Sequence, residues 1–258
     1  MALVRLEAVV LKLHALGDTS RIAVFYTRER GLVRAVAKGA RQPKSRFAGA
    51  LEPLTRVDLV VYFKEGRELQ LLSAADPIES YVAGGTDLER LAHAQAAAEF
   101  VDRLVWGEEE EGAFYDLLTA ALGQLARCPE AALAAVTIAF QVQAAGLLGY
   151  RPALDVCAGC GADPGASRHF APARGGRVCA RCAAQDAMGV TLSGEALAEL
   201  RRLAAADLTG AAPAPAARAG ELLKLMEVYL QNHFQRFSGF RSLELLRGLE
   251  AARGGKSR

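Results

Sequence analysis

Two pairs of cysteines constrain the fold of this chain more than any other feature of its sequence. Cys157 and Cys160 form one Cys-x-x-Cys pair, and Cys179 and Cys182 form a second pair after an interval of 18 residues. Two residues between cysteines allow the backbone to turn so that both thiolates reach one ion, and two such pairs supply the four sulfurs of a tetrahedral zinc site. The spacing therefore predicts one bound Zn²⁺ per chain.

The predicted zinc ion has a structural role, because four cysteines leave no coordination position for a water molecule. Disulfide bonds would account for the same number of cysteines. However, the sequence has no signal-peptide pattern and no apolar run of the roughly 20 residues that a membrane span needs, so we expect a cytosolic protein with reduced thiols. We expect His169 at the surface rather than on the metal, and Cys128 as a small buried residue.

The net charge of +2 hides an uneven distribution of charge along the chain. Residues 1–72 hold 13 basic and 7 acidic side chains, residues 73–127 hold 3 and 11, and residues 128–258 hold 15 and 11. Local clustering, rather than the total, sets the electrostatic field that a partner meets. The basic N-terminal part is therefore the first place to look for a polyanion-binding surface.

Apolar residues recur at every second position in five short segments of the first 75 or so residues, which indicates β-strands. The predicted strands are 4–11, 21–27, 31–37, 57–63 and 69–72. Five strands need closure to protect their edges, and a small barrel of the oligonucleotide-binding (OB) type is the economical solution. An SH3-like barrel is the structural alternative.

After Pro77 the apolar spacing becomes that of helices. Residues 86–89 form a capping box that opens the first helix, and the last residues, 253–258, are expected to fray. The predicted helices are 88 to about 106, 113–127, 130–148, 194–206 and 220–237. The fold class is therefore α+β: a five-stranded OB-fold β-barrel at 1–79, then a mainly α-helical domain at 80–258 that contains an inserted four-cysteine zinc module at 151–188.

One segment of the predicted barrel, which we call the basic segment, is dense in cations and has no acidic residue. Its cations are Arg34, Lys38, Arg41, Lys44 and Arg46. Gly39, Pro43 and Ser45 interrupt it, which is typical of a loop. Most charge runs are solvated surface. Cation clusters without neighbouring acids, however, bind phosphate backbones through ion pairing and counterion release, and OB barrels commonly bind oligonucleotides, so we predict nucleic-acid binding here.

Binding of single strands also uses aromatic side chains on which bases stack. Phe25, Tyr26 and Phe47 are the candidates in the barrel, although the hydrophobic core is the favoured place for each. Nothing in the sequence predicts catalysis: residues 108–111 are an acidic turn by default, and residues 254–257 lack the first glycine of a phosphate-binding loop. We therefore predict that the chain is not an enzyme. Two alternatives stay open, a zinc-ribbon nucleic-acid-binding factor in transcription and a metal-dependent nuclease whose carboxylates the sequence does not reveal.

A series of short motifs resembles, in order, the pattern of the RecO recombination-mediator proteins. The motifs are Gly17-Asp18, Val24-Phe25-Tyr26-Thr27, Gly31-Leu32, Ala37-Lys38-Gly39-Ala40-Arg41, Lys44-Ser45-Arg46-Phe47, Leu51-Glu52-Pro53-Leu54, residues 145–152, the four cysteines and Phe240-Arg241-Ser242. The likeness covers essentially the whole chain. Asp18 departs from it, because the family usually has glutamate there, and residues 240–242 match a basic pattern only loosely.

The resemblance implies a function that composition could not show. RecO proteins bind single- and double-stranded DNA, anneal complementary strands, and act with RecR to let RecA replace single-strand binding protein. Carried over by position, the five cations of the basic segment are the expected DNA contacts and the four cysteines the zinc ligands. We also expect a bacterial cytoplasmic, nucleoid-associated protein, with no membrane partner and no small-molecule substrate.

Overall fold

Two units make up the computed structural model, which describes residues 2–82, 87–105 and 112–254. Contacts within the chain divide it into Met1–Ala126 and Arg127–Arg258. The boundary between the two units thus falls at the end of the second helix after the barrel. The predicted domain boundary, in contrast, lies at the end of the last barrel strand. The domain bounds given above, 1–79, 80–258 and 151–188, stay a prediction.

Five strands close into a barrel in the first unit. They are β1 Ala2–Leu16, β2 Ser20–Thr27, β3 Gly31–Ala37, β4 Thr55–Phe63 and β5 Leu69–Ser80. The order of neighbours is β1-β2-β3-β5-β4, and β1 closes the barrel by pairing antiparallel with both β2 and β4. The strands β3 and β5 pair in parallel. The predicted OB-type barrel ahead of a helical part is therefore confirmed, and its closure hides the strand edges.

Two strands are longer than the alternation of apolar residues predicts. β1 exceeds the predicted 4–11 at both ends, because β4 pairs with its first half and β2 with its second half. β5 passes through Pro77, which the sequence indicated as the end of the strand region. The pairing register shifts between Arg56 and Val57, the partner of Pro77, and a β-sheet tolerates proline at such an irregularity.

Alternating burial along β3 decides which of its residues face outward. Val33, Ala35 and Ala37 are buried in the barrel core, while Leu32 is half-buried and Arg34 is exposed. Successive side chains of a strand point to opposite faces, so Arg34 is carried on the outer surface of the barrel. The same alternation that buries Val33 and Ala35 therefore exposes Arg34, one of the predicted DNA contacts.

Two helices complete the first unit, α1 at Leu88–Leu104 and α2 at Ala113–Arg127. The cap of α1 is Asp87, whose side chain accepts hydrogen bonds from the N–H groups of Glu89 and Arg90. The predicted capping box was therefore wrong in placing the cap one residue earlier, at Thr86, which lies outside the described residues. Residues 106–111, where the end of this helix and the acidic turn were predicted, also lie outside the described residues.

Aromatic packing on the outer face of the barrel involves α2. The ring of Tyr26 lies 5.7 Å from that of Phe114 and 6.4 Å from that of Tyr115. Tyr26, Phe25 and Phe47 are all buried. The core was the favoured place for each of these aromatic rings, and the structure confirms it, so none of the three serves as an exposed stacking platform.

The second unit is built around α3, Leu133–Leu147, which a single 3-10 turn at Glu130–Ala132 precedes. The helices that follow are α4 Ala180–Ala183, α5 Gly194–Ala204, α6 Ala219–His233 and α7 Arg241–Gly254. α3 packs against α5 and α6. The expectation that the chain has no apolar run of membrane-spanning length was wrong, because Glu130–Leu147 is long and apolar enough to cross a membrane; 67% of this stretch is buried in the protein.

Helix α7 is absent from the sequence-based prediction. Its leucines do not share one buried face: Leu243 is buried, whereas Leu245 and Leu249 are exposed. The predicted frayed tail from Arg253 was wrong for its first two residues, since α7 reaches Gly254. Residues 255–258 lie outside the described residues.

A small three-stranded sheet accompanies the cysteines. Its strands are β6 His169–Ala171, β7 Gly176–Arg177 and β8 Val190–Thr191, in the order β7-β6-β8. Both pairings are antiparallel. Strands of two or three residues are too short for a recognisable alternation of apolar residues, so this sheet is absent from the sequence-based prediction.

Candidate metal centre and nucleic-acid interface

The four predicted zinc ligands come together in the second unit. The ligand atoms of Cys157, Cys160, Cys179 and Cys182 all lie within 4.8 Å of one another. The sulfurs of Cys160 and Cys179 are 3.9 Å apart. A tetrahedral ion with Zn–S bonds of about 2.3 Å separates its sulfurs by about 3.8 Å, whereas a disulfide bond measures about 2.04 Å. The cluster therefore has the donor set and spacing of a metal site, and all four thiols are free of disulfides.

Local backbone turns present the sulfurs. After Cys157, the N–H group of Gly161 donates to the Cys157 carbonyl at 2.8 Å, which folds the first pair into a tight turn. Cys179 directly precedes α4 and Cys182 lies within it, so one helical turn brings the second pair together. The two residues between the cysteines thus allow two different backbone conformations to bring the sulfurs together: a tight turn in the first pair and a helical turn in the second.

Hydrogen bonds favour the thiolate form in the first pair. The N–H group of Cys179 donates to the Cys157 sulfur at 3.2 Å, and this bond is the main cause that lowers the pKa of Cys157 to about 6. A backbone bond from Ala162 lowers the pKa of Cys160. The Cys179 thiol acts in the opposite direction on Cys182 and raises its pKa. Because the thiolate is the metal ligand, a cation would bind in place of the protons that these sulfurs share.

His169 and Cys128 both stand apart from the cluster. The His169 ring contacts Asp186, with Nε2 2.9 Å from the carboxylate oxygen, and it is half-buried rather than at the surface as predicted. Cys128 is buried, as predicted. Neither belongs to the group of potential metal ligands found among the described residues.

A buried arginine ties the segments around the cysteines together. Arg177 is only 6% exposed and donates to three backbone carbonyls, those of Leu154, Gly165 and Ser167. The adjacent Gly176 has a φ of +150° and pairs with Ala153 as an isolated bridge. These contacts hold the loop before the first cysteine pair against the strands that precede the second.

The cations of the basic segment all lie at the surface of the first unit. Arg34, Lys38, Arg41, Lys44 and Arg46 are exposed. None of them forms a salt bridge within the described residues. Three other cations of the barrel are compensated: Arg5 contacts Asp58, Arg28 contacts Asp116 and Lys12 contacts Asp102. The five cations of the basic segment are therefore exposed without a salt bridge among the described residues, as a phosphate contact requires.

Two local contacts order the loop of the basic segment. The Arg41 guanidinium donates to the carbonyl of Gly17 at 2.6 Å, and the backbone N–H of Arg41 donates to Thr19. The loop is thereby joined to the turn between β1 and β2. The Arg46 guanidinium lies 4.9 Å from the ring centroid of the buried Phe47. The segment thus presents its cations from a defined loop, although contact with DNA stays a prediction.

A second group of cations becomes visible only in the folded chain. Arg30, Arg34 and Arg67 line a cleft of about 410 Å³ in the first unit. Arg30 follows Glu29 and Arg67 precedes Glu68, so counting charges along the sequence cancels both arginines. Only Arg34 belongs to the basic segment. Folding places the three together because the turns after β2 and after β4 both lie beside β3.

Comparison with known proteins gives two successive matches to family models. The model described as Recombination protein O N terminal matches residues 1–81, and the model described as Recombination protein O C terminal matches residues 85–244. These two ranges separate where the barrel ends and α1 begins.

Similar proteins match over nearly their full length. The DNA repair protein RecO of Nocardioides sp. is 36% identical over 237 residues, which is 91% of this chain and 96% of that protein. The DNA repair protein RecO of Rubrobacter xylanophilus is 38% identical over 216 residues, 82% of this chain and 85% of that protein. For the protein of that name from Anaeromyxobacter dehalogenans the identity is 36% over 236 residues, 90% and 92% of the two chains. With both terminal models matched in order and the relatives matched across barrel and helices, the chain belongs to the RecO family of DNA repair proteins.

Proposed function

We propose that this protein is a recombination mediator that binds single- and double-stranded DNA, anneals complementary strands and, together with RecR, helps RecA to load on DNA coated by single-strand binding protein. Membership of the RecO family supports a role in DNA repair. The observation that carries the DNA-binding part is a row of exposed cations on an OB-type barrel, none of which forms a salt bridge with another described residue. Phosphates are the anions that such a row attracts.

The proposed mechanism contains no bond-making step, so the protein is not an enzyme in this proposal. Two DNA strands repel one another, and that repulsion slows annealing. A cationic surface that contacts the backbones of both strands lowers the repulsion and leaves the base edges free to pair. Arg34, Lys38, Arg41, Lys44 and Arg46 are the proposed phosphate contacts.

We propose Zn²⁺ as the ion of the four-cysteine cluster. Cys157, Cys160, Cys179 and Cys182 would hold it, and four thiolates without an open position suit a structural ion. The ion would join the loop of the first pair to α4, in a region whose sheet has strands of only two or three residues. Its contribution is to the folding of this module rather than to DNA annealing itself.

The remaining parts of the proposal concern partners and location. RecR and single-strand binding protein are the proposed protein partners, and a basic and apolar groove among the helices of the second unit would suit the acidic, aromatic tail of the latter. We place the protein in the bacterial cytoplasm at the nucleoid. Membranes and small-molecule substrates have no part in the proposal.

Strand annealing tests the proposed function directly. Two complementary oligonucleotides, each coated with single-strand binding protein, are mixed with and without the full-length chain, and duplex formation is followed by fluorescence quenching. We expect the protein to accelerate annealing, and the Lys38→Gln/Lys44→Gln variant to do so less. Equal rates with and without the protein contradict the proposal.

The same reaction separates the alternatives. A zinc-ribbon factor in transcription binds nucleic acid but has no reason to accelerate annealing of coated strands. A metal-dependent nuclease shortens the labelled oligonucleotides when Mg²⁺ is added, which electrophoresis of the products detects. Cleavage that persists through repurification contradicts the absence of enzymatic activity.

A further inference from the structure

The cleft beside β3 combines an aromatic ring with three arginines. The guanidinium carbon of Arg30 lies 4.4 Å from the centroid of the Phe63 ring. Phe63 itself packs against the barrel core and is half-buried, so the ring is a fixed support. A guanidinium plane has two faces, and Phe63 occupies one of them. Because nucleic-acid bases stack on guanidinium planes as well as on aromatic rings, Arg30 offers a base a platform that the Phe63 ring supports.

The charge of the cleft favours an anion. Arg34 and Arg67 are exposed, and in the part of the chain that the structure describes no carboxylate forms a salt bridge with either, or with Arg30. Two acids also line the cleft, Glu68 and Asp102. The carboxylate of Asp102 is already neutralised, since Lys12 Nζ lies 2.5 Å from it. Among the described residues, three arginines therefore face one uncompensated acid, and phosphate is the anion that arginine binds with paired hydrogen bonds.

The cleft is also continuous with the basic segment. Arg34 belongs to both, because it lines the cleft and opens the row of cations that continues after β3. Lys38 directly follows the last residue of β3, and Arg34 and Lys38 are both exposed, so the row of cations runs from the cleft into the loop after β3. A DNA strand that follows the basic segment therefore reaches the cleft.

We propose that this cleft binds one nucleotide of a single DNA strand, with its base stacked on the Arg30 guanidinium and its phosphate held by Arg34 and Arg67. The volume of about 410 Å³ lies near the lower end of small-ligand pockets, which suits one nucleotide rather than several. The inference rests on the proposed DNA binding and adds a means of telling single from double strands. In a duplex the bases are stacked on each other, so only a single strand can supply a base to Arg30.

An acidic peptide is the rival occupant, and the arrangement of the cleft disfavours it. A peptide carboxylate would find the arginines but would also meet Glu68. An acidic side chain has no ring that could stack on the Arg30 guanidinium. The stacked Arg30–Phe63 pair is thus accounted for by a base and not by a carboxylate.

The test measures the affinity of full-length variants for three fluorescently labelled ligands by anisotropy. The ligands are a single-stranded oligonucleotide, the same oligonucleotide with abasic sugars in place of its nucleosides, and the corresponding duplex. Arg30→Lys keeps the charge and removes the planar platform, and Phe63→Leu removes its support. For both we expect a loss of about fivefold or more on the normal single strand, and a loss of less than about twofold on the abasic strand and the duplex.

Matched controls exist on the same barrel. Arg5→Lys makes the same change at an arginine that contacts Asp58 outside the cleft, and Tyr62→Leu removes the neighbouring exposed aromatic, whose side chain points to the opposite face of β4. Both should leave all three affinities unchanged. Thermal melting of each variant checks that Phe63→Leu has not unfolded the barrel.

The outcomes are separable. Equal losses on all three ligands, or none on the normal single strand, overturn the cleft while leaving DNA binding by the basic segment in place. If Lys38→Gln/Lys44→Gln has no effect on DNA but the cleft variants do, the cleft stands and the basic segment falls. Absence of any binding by the full chain overturns both. A labelled acidic peptide serves as a fourth ligand: if the cleft variants lose binding to this peptide while their single-strand affinity is unchanged, the cleft belongs to the peptide and the proposal is also overturned.

Discussion

Charge removal from the basic segment should change the salt dependence of DNA binding by a calculable amount. Lys38 and Lys44 are exposed, and the described residues supply neither with a salt bridge. If all five cations of the segment contact phosphates, the logarithm of the binding constant for single strands should fall against the logarithm of salt concentration with a slope of about −3.5, since each contact contributes about −0.7. Affinity then falls about a hundredfold between 50 and 200 mM salt by the same relation.

Replacing both lysines by glutamine removes two of these contacts. The slope should become about −2.1, so that the same change of salt weakens binding only about twentyfold. Lysine is chosen instead of Arg41 because the Arg41 side chain also donates to the Gly17 carbonyl, and its loss would disturb the loop. The lysine substitutions therefore test the loss of charge without removing a contact that orders the loop.

Anisotropy titrations of a labelled single-stranded oligonucleotide at four or more salt concentrations give the slopes. Arg5→Gln serves as the control, since its charge is already compensated by Asp58 and its loss should leave the slope unchanged. A double variant whose line runs parallel to that of the parent protein would refute the assignment of Lys38 and Lys44 to phosphate. A parallel shift of that kind would mean that the lysines act on affinity without releasing counterions.

Three further predictions concern stability. Elemental analysis should find one zinc per chain, and Cys160→Ser should lower both the zinc content and the melting temperature, an outcome that equal zinc content would contradict. Gly176→Ala should cost at least about 2 kcal/mol in denaturant unfolding, because φ is +150° and the added Cβ would lie 2.6 Å from the Ala153 nitrogen; Gly165→Ala, where φ is +58° and nothing lies within 4 Å, should cost less. His93 is buried, and desolvation lowers its pKa to about 4, so the unfolded chain binds the proton more tightly and stability falls as the pH drops below about 6.5. The difference in unfolding free energy between the parent and His93→Gln should shrink by about 2 kcal/mol between pH 7 and pH 5, and an equal difference at both values would contradict a neutral buried histidine.

Local patterns in the sequence determined a large part of the fold. The strand β3 and the helix α2 have the predicted bounds, because in each an uninterrupted apolar period is flanked by turn signals or a glycine. The four cysteines were also identified from spacing alone, since two residues between thiols is a local geometric condition. Exposure of the cations in the basic segment followed equally from their type, because burying an unpaired charge costs far more than solvating it.

Tertiary contacts decided what the sequence could not. β5 continues past Pro77 because β4 lies beside it, and the short strands β6 to β8 exist only because they pair with one another. Helix α7 has almost no apolar stripe by which it could be recognised. In each case the stabilising partner lies far along the chain, where local periodicity carries no information.

The same distinction separates the two cation groups. The sequence determined the basic segment, since its five cations follow one another without an acid, and it determined the cysteine cluster and the family. Only the folded barrel brought Arg30, Arg34 and Arg67 to one cleft with Phe63. The physical reason is that electrostatic and stacking interactions depend on distance in space, and barrel closure brings together turns that are more than 30 residues apart in the chain.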